Sequence, residues 1–62
     1  MPEIYSVSEV AEILKINKAT CRNYIRDGKI KSFKVGNRIR VKQPDLLDFM
    51  KKQERETVKN EL

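Results

Sequence analysis

The sequence contains no histidine and only one cysteine among its 62 residues. Catalytic Ser/His and Cys/His pairs, and zinc sites built from cysteine and histidine, therefore have no basis in this chain. Cys21 cannot form an internal disulfide, and its place on an apolar helix face predicts a small buried side chain rather than a reactive or metal-binding thiol. We expect a protein without enzymatic activity, metal or cofactor, and a lone cysteine suits a reducing cytoplasm.

Long apolar segments and a secretory leader are also absent from the sequence. No apolar run approaches the roughly 18 residues that a membrane span needs, and the N-terminal MPEIY has neither the basic nor the apolar region of a signal peptide. The chain is therefore expected to be soluble, not exported and without a membrane partner. It should form one domain with a small core, since only about 60% of the unfolded chain's surface can be buried at this length.

Positive charge is abundant, and it is concentrated in the middle of the chain. Residues 15–42 contain ten lysines and arginines and a single acid, Asp27, which gives this segment a net charge of +9. The rest of the chain sums to −4, and the whole chain to +5. This division indicates one positive face directed at a polyanion, because charge that only keeps a surface soluble is expected to mix both signs.

The segment 6–31 has the pattern of two short helices joined by a tight turn. Ser6 followed three residues later by Glu9 is a capping box, so the first helix should begin at about Val7 and run to about Lys15. Apolar residues recur along it at the spacing of one helix face, which should point to the core. These residues are Val7, Val10, Ala11 and Leu14.

The second helix is predicted from about Lys18 to Asp27, with Asn17 as its N-cap and Gly28 as its left-handed stop. Its apolar side consists of Cys21, Tyr24 and Ile25. The remaining side carries cationic and hydrogen-bonding residues of the kind that contact phosphates and base edges. These are Lys18, Thr20, Arg22, Asn23 and Arg26.

Different roles suit the exposed residues of the second helix. Arginine can read guanine and asparagine can read adenine, so Arg22 and Asn23 are candidates for base recognition, whereas Arg26 near the C-terminal end suits a phosphate. Arg22 and Arg26 are also one helical turn apart, and like charges at that spacing cost stability unless an anion lies between them. Thr20 has two possible roles: a capping or turn contact with Asn17, or a phosphate or base contact near the helix N-terminus.

Beyond the second helix, the sequence period changes from that of a helix to that of strands. Two apolar pairs, Phe33 with Val35 and Ile39 with Val41, flank a turn at residues 36–37. The pattern predicts a β-hairpin whose apolar side covers the helices. The other side and the tip should carry Lys34, Arg38 and Arg40. Arginines placed there suit a narrow DNA groove, although they could also serve only to keep the hairpin soluble.

A third helix is predicted to begin at Lys42-Gln43-Pro44-Asp45, with Pro44 near its first turn. Its apolar stripe, which should close the core, is Leu46, Phe49 and Met50. Residues 1–50 are expected to form the domain, and residues 51–62 a charged helical extension or a disordered tail. Residues 1–5 are expected to be too short to form an element, with Tyr5 packing on the core.

These features, in this order, resemble the excisionase-type and MerR-like winged helix-turn-helix domains. The matching stretches are SVSEVAEILKINKATCRNYIRDGKIKSFKVGNRIRV and DLLDFM, about two-thirds of the chain. They contain an S-x-x-E-x-A first helix, an aromatic residue in the second helix, D-G-K-I after it, G-x-R-I-R in the hairpin and D-L-x-x-F-M in the last helix. The resemblance implies a mostly α-helical winged helix-turn-helix fold with a two-stranded wing and a C-terminal helix.

The resemblance also implies that the second helix enters the major groove of DNA, while the wing reaches an adjacent minor groove or phosphate ridge. The recognition-helix positions are Lys18, Thr20, Arg22, Asn23 and Arg26, and the wing positions are Lys34, Asn37, Arg38 and Arg40. MerR regulators carry a long dimerisation helix and an effector domain, for which this chain is too short. It is therefore more similar to the stand-alone excisionases, also called recombination directionality factors.

Excisionases bind adjacent DNA sites, often cooperatively, and bend the DNA so that a partner integrase excises a mobile element. The resemblance thus implies a sequence-specific DNA-binding and DNA-bending protein of the bacterial cytoplasm, associated with the nucleoid or encoded by a phage or plasmid. A small regulator of transcription, or of plasmid replication or partition, is the alternative, since the same architecture serves these roles. RNA binding, and an adaptor that contacts an acidic protein, are two further classes that the charge permits.

Overall fold

A computed structural model describes residues 3–61 of the chain, and the side chains of residues 3–56. Its elements, in chain order, are β1 (Ile4–Ser6), α1 (Val7–Leu14), α2 (Lys18–Arg26), β2 (Phe33–Val35), β3 (Arg38–Lys42) and α3 (Gln43–Glu61). The predicted fold, three helices with a hairpin wing between the second and the third, is confirmed. Over residues 3–61, no helix combines the length and the apolar character needed to cross a membrane.

Side chains of the local sequence fix where α1 and α2 begin, as predicted. At α1, the backbone N–H of Glu9 donates to Ser6 Oγ at 3.2 Å, and the backbone N–H of Ser6 donates to Glu9 Oε1 at 2.8 Å. At α2, Asn17 Oδ1 accepts the backbone N–H of Thr20 at 2.8 Å. The turn between the helices needs only residues 15–17, with Lys15 in the left-handed conformation at φ 60°.

The end of α2 is a Schellman motif built on Gly28, whose φ is +81°. The N–H of Lys29 donates to the carbonyl of Tyr24 at 2.9 Å, and the N–H of Gly28 donates to the carbonyl of Ile25 at 3.1 Å. This reversal directs the chain so that Ile30 is buried in the core. The predicted glycine stop is therefore confirmed.

The N-terminal residues form a strand that the sequence did not indicate. Strand β1 pairs antiparallel with β3, which gives the sheet order β1-β3-β2, and Tyr5 lies opposite Val41. The expectation that residues 1–5 form no element is wrong for Ile4 and Tyr5, which lie in β1, while residues 1–2 lie outside the described residues. Three residues suffice because the hairpin already holds the partner strand, and that partner is too distant along the chain for a local pattern to reveal it. Tyr5 is buried, as predicted.

The hairpin turn fixes which side chains of the wing share a face. The two residues 36–37 form the turn, so Val35 pairs with Arg38 and Phe33 pairs with Arg40. Directly paired residues in an antiparallel sheet project to the same face, and Val35 is 59% exposed. Phe33 and Val35 therefore share the outer face with the two arginines, and the expectation that they cover the helices is wrong.

The opposite face of the sheet meets the helices. Val41 and its partner Tyr5 are both buried, and Ile39, two residues before Val41, lies on the same side. Lys34 pairs with Ile39 and so shares this side, not the outer face as expected. The reason is the register: a two-residue turn pairs odd-numbered with even-numbered positions here, so the apolar residues of the two strands cannot lie on one face.

The core lies between the helices and the inner face of the sheet. Its buried members are Tyr5, Val10, Ala11, Cys21, Ile30, Val41, Leu46 and Phe49. The rings of Tyr24 and Phe49 pack with their centroids 5.4 Å apart, which joins α2 to α3. The predicted stripe of α3 is confirmed, and beyond it residues 51–56 are exposed. The backbone remains helical to Glu61; residue 62 and the side chains of 57–61, part of the expected tail, lie outside the described residues.

Candidate nucleic-acid interface

The polar side of α2 faces solvent, as its sequence predicts. Cys21 is fully buried, and Tyr24 and Ile25 pack against the core, so the helix is anchored by its apolar side. The exposed residues of the recognition set are Lys18, Arg22, Asn23 and Arg26. A row of donors on a firmly packed helix can enter a DNA groove without rearranging the core.

Thr20 is half-buried, and its contact with the preceding turn is made by its backbone. Asn17 Oδ1 accepts the Thr20 backbone N–H at 2.8 Å. The side chain that caps the helix is thus that of Asn17, and the hydroxyl of Thr20 takes no part in this hydrogen bond. A phosphate or base contact by that hydroxyl stays a prediction.

The two arginines of α2 have different surroundings. Arg26 Nε lies 3.9 Å from Asp27 Oδ1, and both side chains are largely exposed. Such a surface pair adds little stability, but it supplies a negative charge close to Arg26. Arg22, one turn earlier, lies instead beside the wing. The expected repulsion between the two arginines is therefore partly offset at Arg26.

Three of the four predicted wing residues lie at the turn and along β3, and the fourth, Lys34, is exposed on β2. Asn37 is exposed in the turn, where Gly36 has a φ of +63°. Arg38 is exposed as well, whereas Arg40 is half-buried and its Nη1 donates to the carbonyl oxygen of Ile39 at 2.9 Å. Arg40 is thus held in position by the strand that carries it, which lowers the entropy lost when it binds a ligand.

An open groove of about 340 Å³ brings one residue of the predicted recognition helix, Arg22, together with three residues of the predicted wing set. It is lined by Ser6, Val7, Ser8, Arg22, Asn37, Arg38, Ile39 and Arg40. Three arginines line it, and among the described residues no aspartate or glutamate does. The groove is therefore a site of positive potential. Five predicted residues are not part of this lining: Lys18, Thr20, Asn23, Arg26 and Lys34.

The pairing of the strands explains why the groove exists. Strand β1 ends at Ser6, which lies opposite Arg40. Arg38 and Ile39 consequently pair with β2 alone, and their other edge is left open beside the start of α1. The contribution of Ser6–Ser8 to this wall was missed by sequence reasoning, because it depends on a strand that has no local signal.

Two basic residues of the middle segment contact aromatic rings. Lys29 Nζ lies 5.5 Å from the centroid of the Tyr24 ring, and Lys42 Nζ lies 5.8 Å from that of Phe33. These distances fit cation–π contacts. The pair of Lys42 and Phe33 follows from the register of the wing, which places both on the outer face of the sheet.

Cys21 is a core residue, as predicted. It is fully buried, and its Sγ lies 3.8 Å from the carbonyl oxygen of Val7. Burial raises the pKa of the thiol above 9.0, and the nearby positive charge of Arg22 lowers this pKa in part. The side chain is therefore a neutral thiol that packs α2 against the beginning of α1.

Comparisons of this chain with protein families and with known proteins each give a match. A family model described as a helix-turn-helix domain matches residues 4–54, most of the chain. The Bacillus subtilis (strain 168) protein named "Uncharacterized protein YvgK" is 36% identical over 45 residues. The aligned part covers 73% of this chain and 15% of the YvgK protein, so the similarity concerns a small part of that relative.

Proposed function

We propose that this chain, which belongs to the helix-turn-helix domain family, is a non-enzymatic protein that binds a specific sequence of double-stranded DNA and bends it. The family indicates duplex DNA as the ligand, since helix-turn-helix domains place a helix in the major groove. The groove that unites Arg22 of α2 with Arg38 and Arg40 of the wing is the observation that carries the proposal. Arginines from two elements line one space, and no carboxylate is among its described lining residues.

The exposed side of α2 suits recognition in the major groove. Asn23 can make paired hydrogen bonds with adenine, and Lys18 and Thr20 lie in the first turn of the helix, where recognition helices meet base edges or phosphates. Arg26, which has a carboxylate 3.9 Å away, is better suited to an outer phosphate. Sequence is read by α2 and register is set by phosphate contacts around it.

Bending of the DNA follows from contacts that the protein makes at two points of the duplex. A helix in the major groove and a wing at the neighbouring minor groove or phosphate ridge hold the same duplex on one face, and curvature of the duplex brings both contacts within reach. Asn37, Arg38 and Arg40 supply the wing contact, and Lys34 contributes from the other side of the hairpin. One such domain covers about one half-site, so copies on adjacent sites provide the full recognition length.

Within this class, we assign the role of an excisionase that directs an integrase towards excision of a mobile element. The order of the helix-turn-helix, the basic hairpin and the closing helix, which resembles that of the excisionases, supports this role. It would act where that DNA is, in the bacterial cytoplasm.

A regulator of transcription, or of plasmid replication or partition, is the second candidate. It is kept because the same architecture serves such roles, and the B. subtilis relative shows a similar segment that makes up 15% of a protein. A segment similar to this chain thus occurs as one part of a larger protein. The two candidates differ in partner and share their contacts with DNA.

Two experiments test these proposals in turn. Footprinting across the DNA that flanks the encoding gene should reveal protected sites in tandem. A supercoiled donor plasmid that carries the flanking attachment sites is then incubated with the cognate integrase, with and without this protein. We expect excision to depend on the protein. If excision is equal in both reactions while the footprints are still observed, the excisionase role is refuted. The function is then that of the regulator.

A further inference from the structure

The groove beside the wing contains two arginines whose roles were predicted to differ. Arg22 of α2 was expected to read a base, and Arg40 of β3 to grip a minor groove or a phosphate ridge. Both line the same open space, and Arg38 lines it as well. The other predicted base reader, Asn23, does not line it. The structure therefore separates Arg22 from Asn23 and groups it with the wing.

Arg40 is prepared to bind an anion. It is half-buried, it lies opposite Ser6 in the sheet, and one guanidinium nitrogen, Nη1, already donates to the carbonyl oxygen of Ile39 at 2.9 Å. A guanidinium has five N–H donors in a fixed planar arrangement, so this bond orients the group and leaves further donors for a ligand. Charge-assisted bonds of this kind to phosphate are the strong ones.

The remaining walls of the groove also favour a negatively charged ligand. Val7 and Ser8, in the first turn of α1, form one wall, and the N-terminal end of a helix carries partial positive charge. The nearest acid along the chain, Glu9, accepts the backbone N–H of Ser6 at 2.8 Å and is not part of the lining. The positive charge of the groove is thus not neutralised by its described lining residues.

The position of the groove indicates which part of DNA enters it. A base edge in the major groove is approached by the recognition helix alone, whereas this space has α2 on one side and the wing and the start of α1 on the other. When a helix occupies the major groove and a hairpin lies beside it, the sugar-phosphate strand passes between them.

We propose that this groove holds one phosphodiester of the DNA backbone, bound at the same time by Arg22 from α2 and Arg40 from the wing. Arg22 is then a backbone contact and not a guanine-reading residue, and base recognition belongs to Asn23 and the first turn of α2. The inference rests on the proposed DNA binding and adds to it a shared phosphate that couples helix and wing.

A double-mutant cycle measures this coupling. Affinities are determined for a duplex selected from a randomised pool and for a scrambled duplex of the same length and composition. We expect Arg22→Ala and Arg40→Ala each to weaken binding about 10-fold on both duplexes alike. Each should also reduce the log–log salt slope by about one. Because the two side chains share one ligand, the double variant should lose less affinity than the product of the two single-variant losses, by a factor of about three or more.

Arg26→Ala is the matched control, since Arg26 is on the same helix but outside the groove. In the double variant, the fold-losses of affinity caused by Arg26→Ala and Arg40→Ala should multiply. Circular-dichroism melting verifies that each variant is folded, and Arg40→Lys, which keeps the charge without the planar group, replaces any Arg40→Ala protein that is not.

Three results would overturn the inference. Losses at Arg22 and Arg40 that multiply as in the control mean that no phosphate is shared. A loss at Arg22 confined to the selected duplex means that Arg22 reads a base. Absence of duplex binding by the unaltered protein refutes the proposed function itself, and this outcome is recognisable before any variant is made.

Discussion

At the scale of single residues, the ends of α1 and α2 are held by side chains and backbone groups that lie close to them in the chain. Ser6 with Glu9, Asn17 with the N–H of Thr20, and Gly28 after α2 all act over three to five residues, and all three are confirmed. A helix terminus has unpaired backbone groups that only a few side chains can satisfy. Such positions can therefore be recognised without knowledge of the fold.

The cap of α2 gives a direct test at this scale. Asn17→Ala removes the acceptor of the Thr20 N–H and should lower the free energy of unfolding by about 1 kcal/mol, measured by urea denaturation. Asn17→Ser keeps an acceptor and should retain most of the stability. Asn23→Ala, on the exposed side of the same helix, is the control and should change stability by less than about 0.5 kcal/mol. Equal effects at the two asparagines would show that Asn17 does not act as a cap.

Base recognition makes a second prediction for individual residues. Asn23→Ala should cost about 1 to 3 kcal/mol on a selected duplex and much less on a scrambled one, because a base contact is lost. Lys34→Ala should weaken both duplexes by the same factor, since a phosphate contact is independent of sequence. Fluorescence anisotropy with labelled duplexes gives both values. A loss at Asn23 that is the same for the two duplexes would assign this residue to the backbone.

Cys21 provides a pH-dependent test. Burial raises the pKa of its thiol in the folded protein above the ordinary value of 9.0, so the unfolded chain loses this proton first as the pH increases. The stability that Cys21 contributes is complete below that value and is lost as the pH passes through the raised pKa. Compared with Cys21→Ala, the unaltered protein should lose more stability between neutral and strongly alkaline pH in urea titrations. Parallel curves would contradict the burial of the thiol.

At the scale of elements, local patterns revealed which elements form but not how the sheet is arranged. The turn at 36–37 and the alternation around it predicted the hairpin, yet the alternation placed all apolar residues of both strands on one face. The two-residue turn places them on opposite faces, and Val35 is exposed while Val41 is fully buried. Strand β1 was missed altogether, because its formation depends on β3, far along the chain.

The register of the wing can be tested with one pair of matched substitutions. Val35→Thr replaces an exposed methyl group on the outer face and should change stability by less than about 0.5 kcal/mol. Val41→Thr is chemically identical but buries a hydroxyl group in the core, which should cost about 1 to 3 kcal/mol. Thermal and urea denaturation of the two variants compare them directly. Similar costs would mean that the two valines share a face.

At the scale of the whole molecule, the fold brings part of the positive charge of the chain onto one surface. The sequence placed a net charge of +9 between residues 15 and 42, and the fold gathers arginines from both halves of that segment around the groove beside the wing. The identity of the charged segment was predictable from composition. The position of Arg22 in the same groove as Arg38 and Arg40 was not predictable, since it requires the turn after α2 and the pairing of β1 with β3.

The central claim, that this surface grips the phosphate backbone of duplex DNA, is tested most directly by the salt dependence of binding. The affinity for a duplex is measured between low and physiological salt, with single-stranded DNA and duplex RNA of the same sequence as comparisons. Five to ten phosphate contacts predict a slope of log K against log salt of roughly −4 to −9 on duplex DNA. A flat response, or tighter binding to single strands or to RNA than to duplex DNA, would contradict the account.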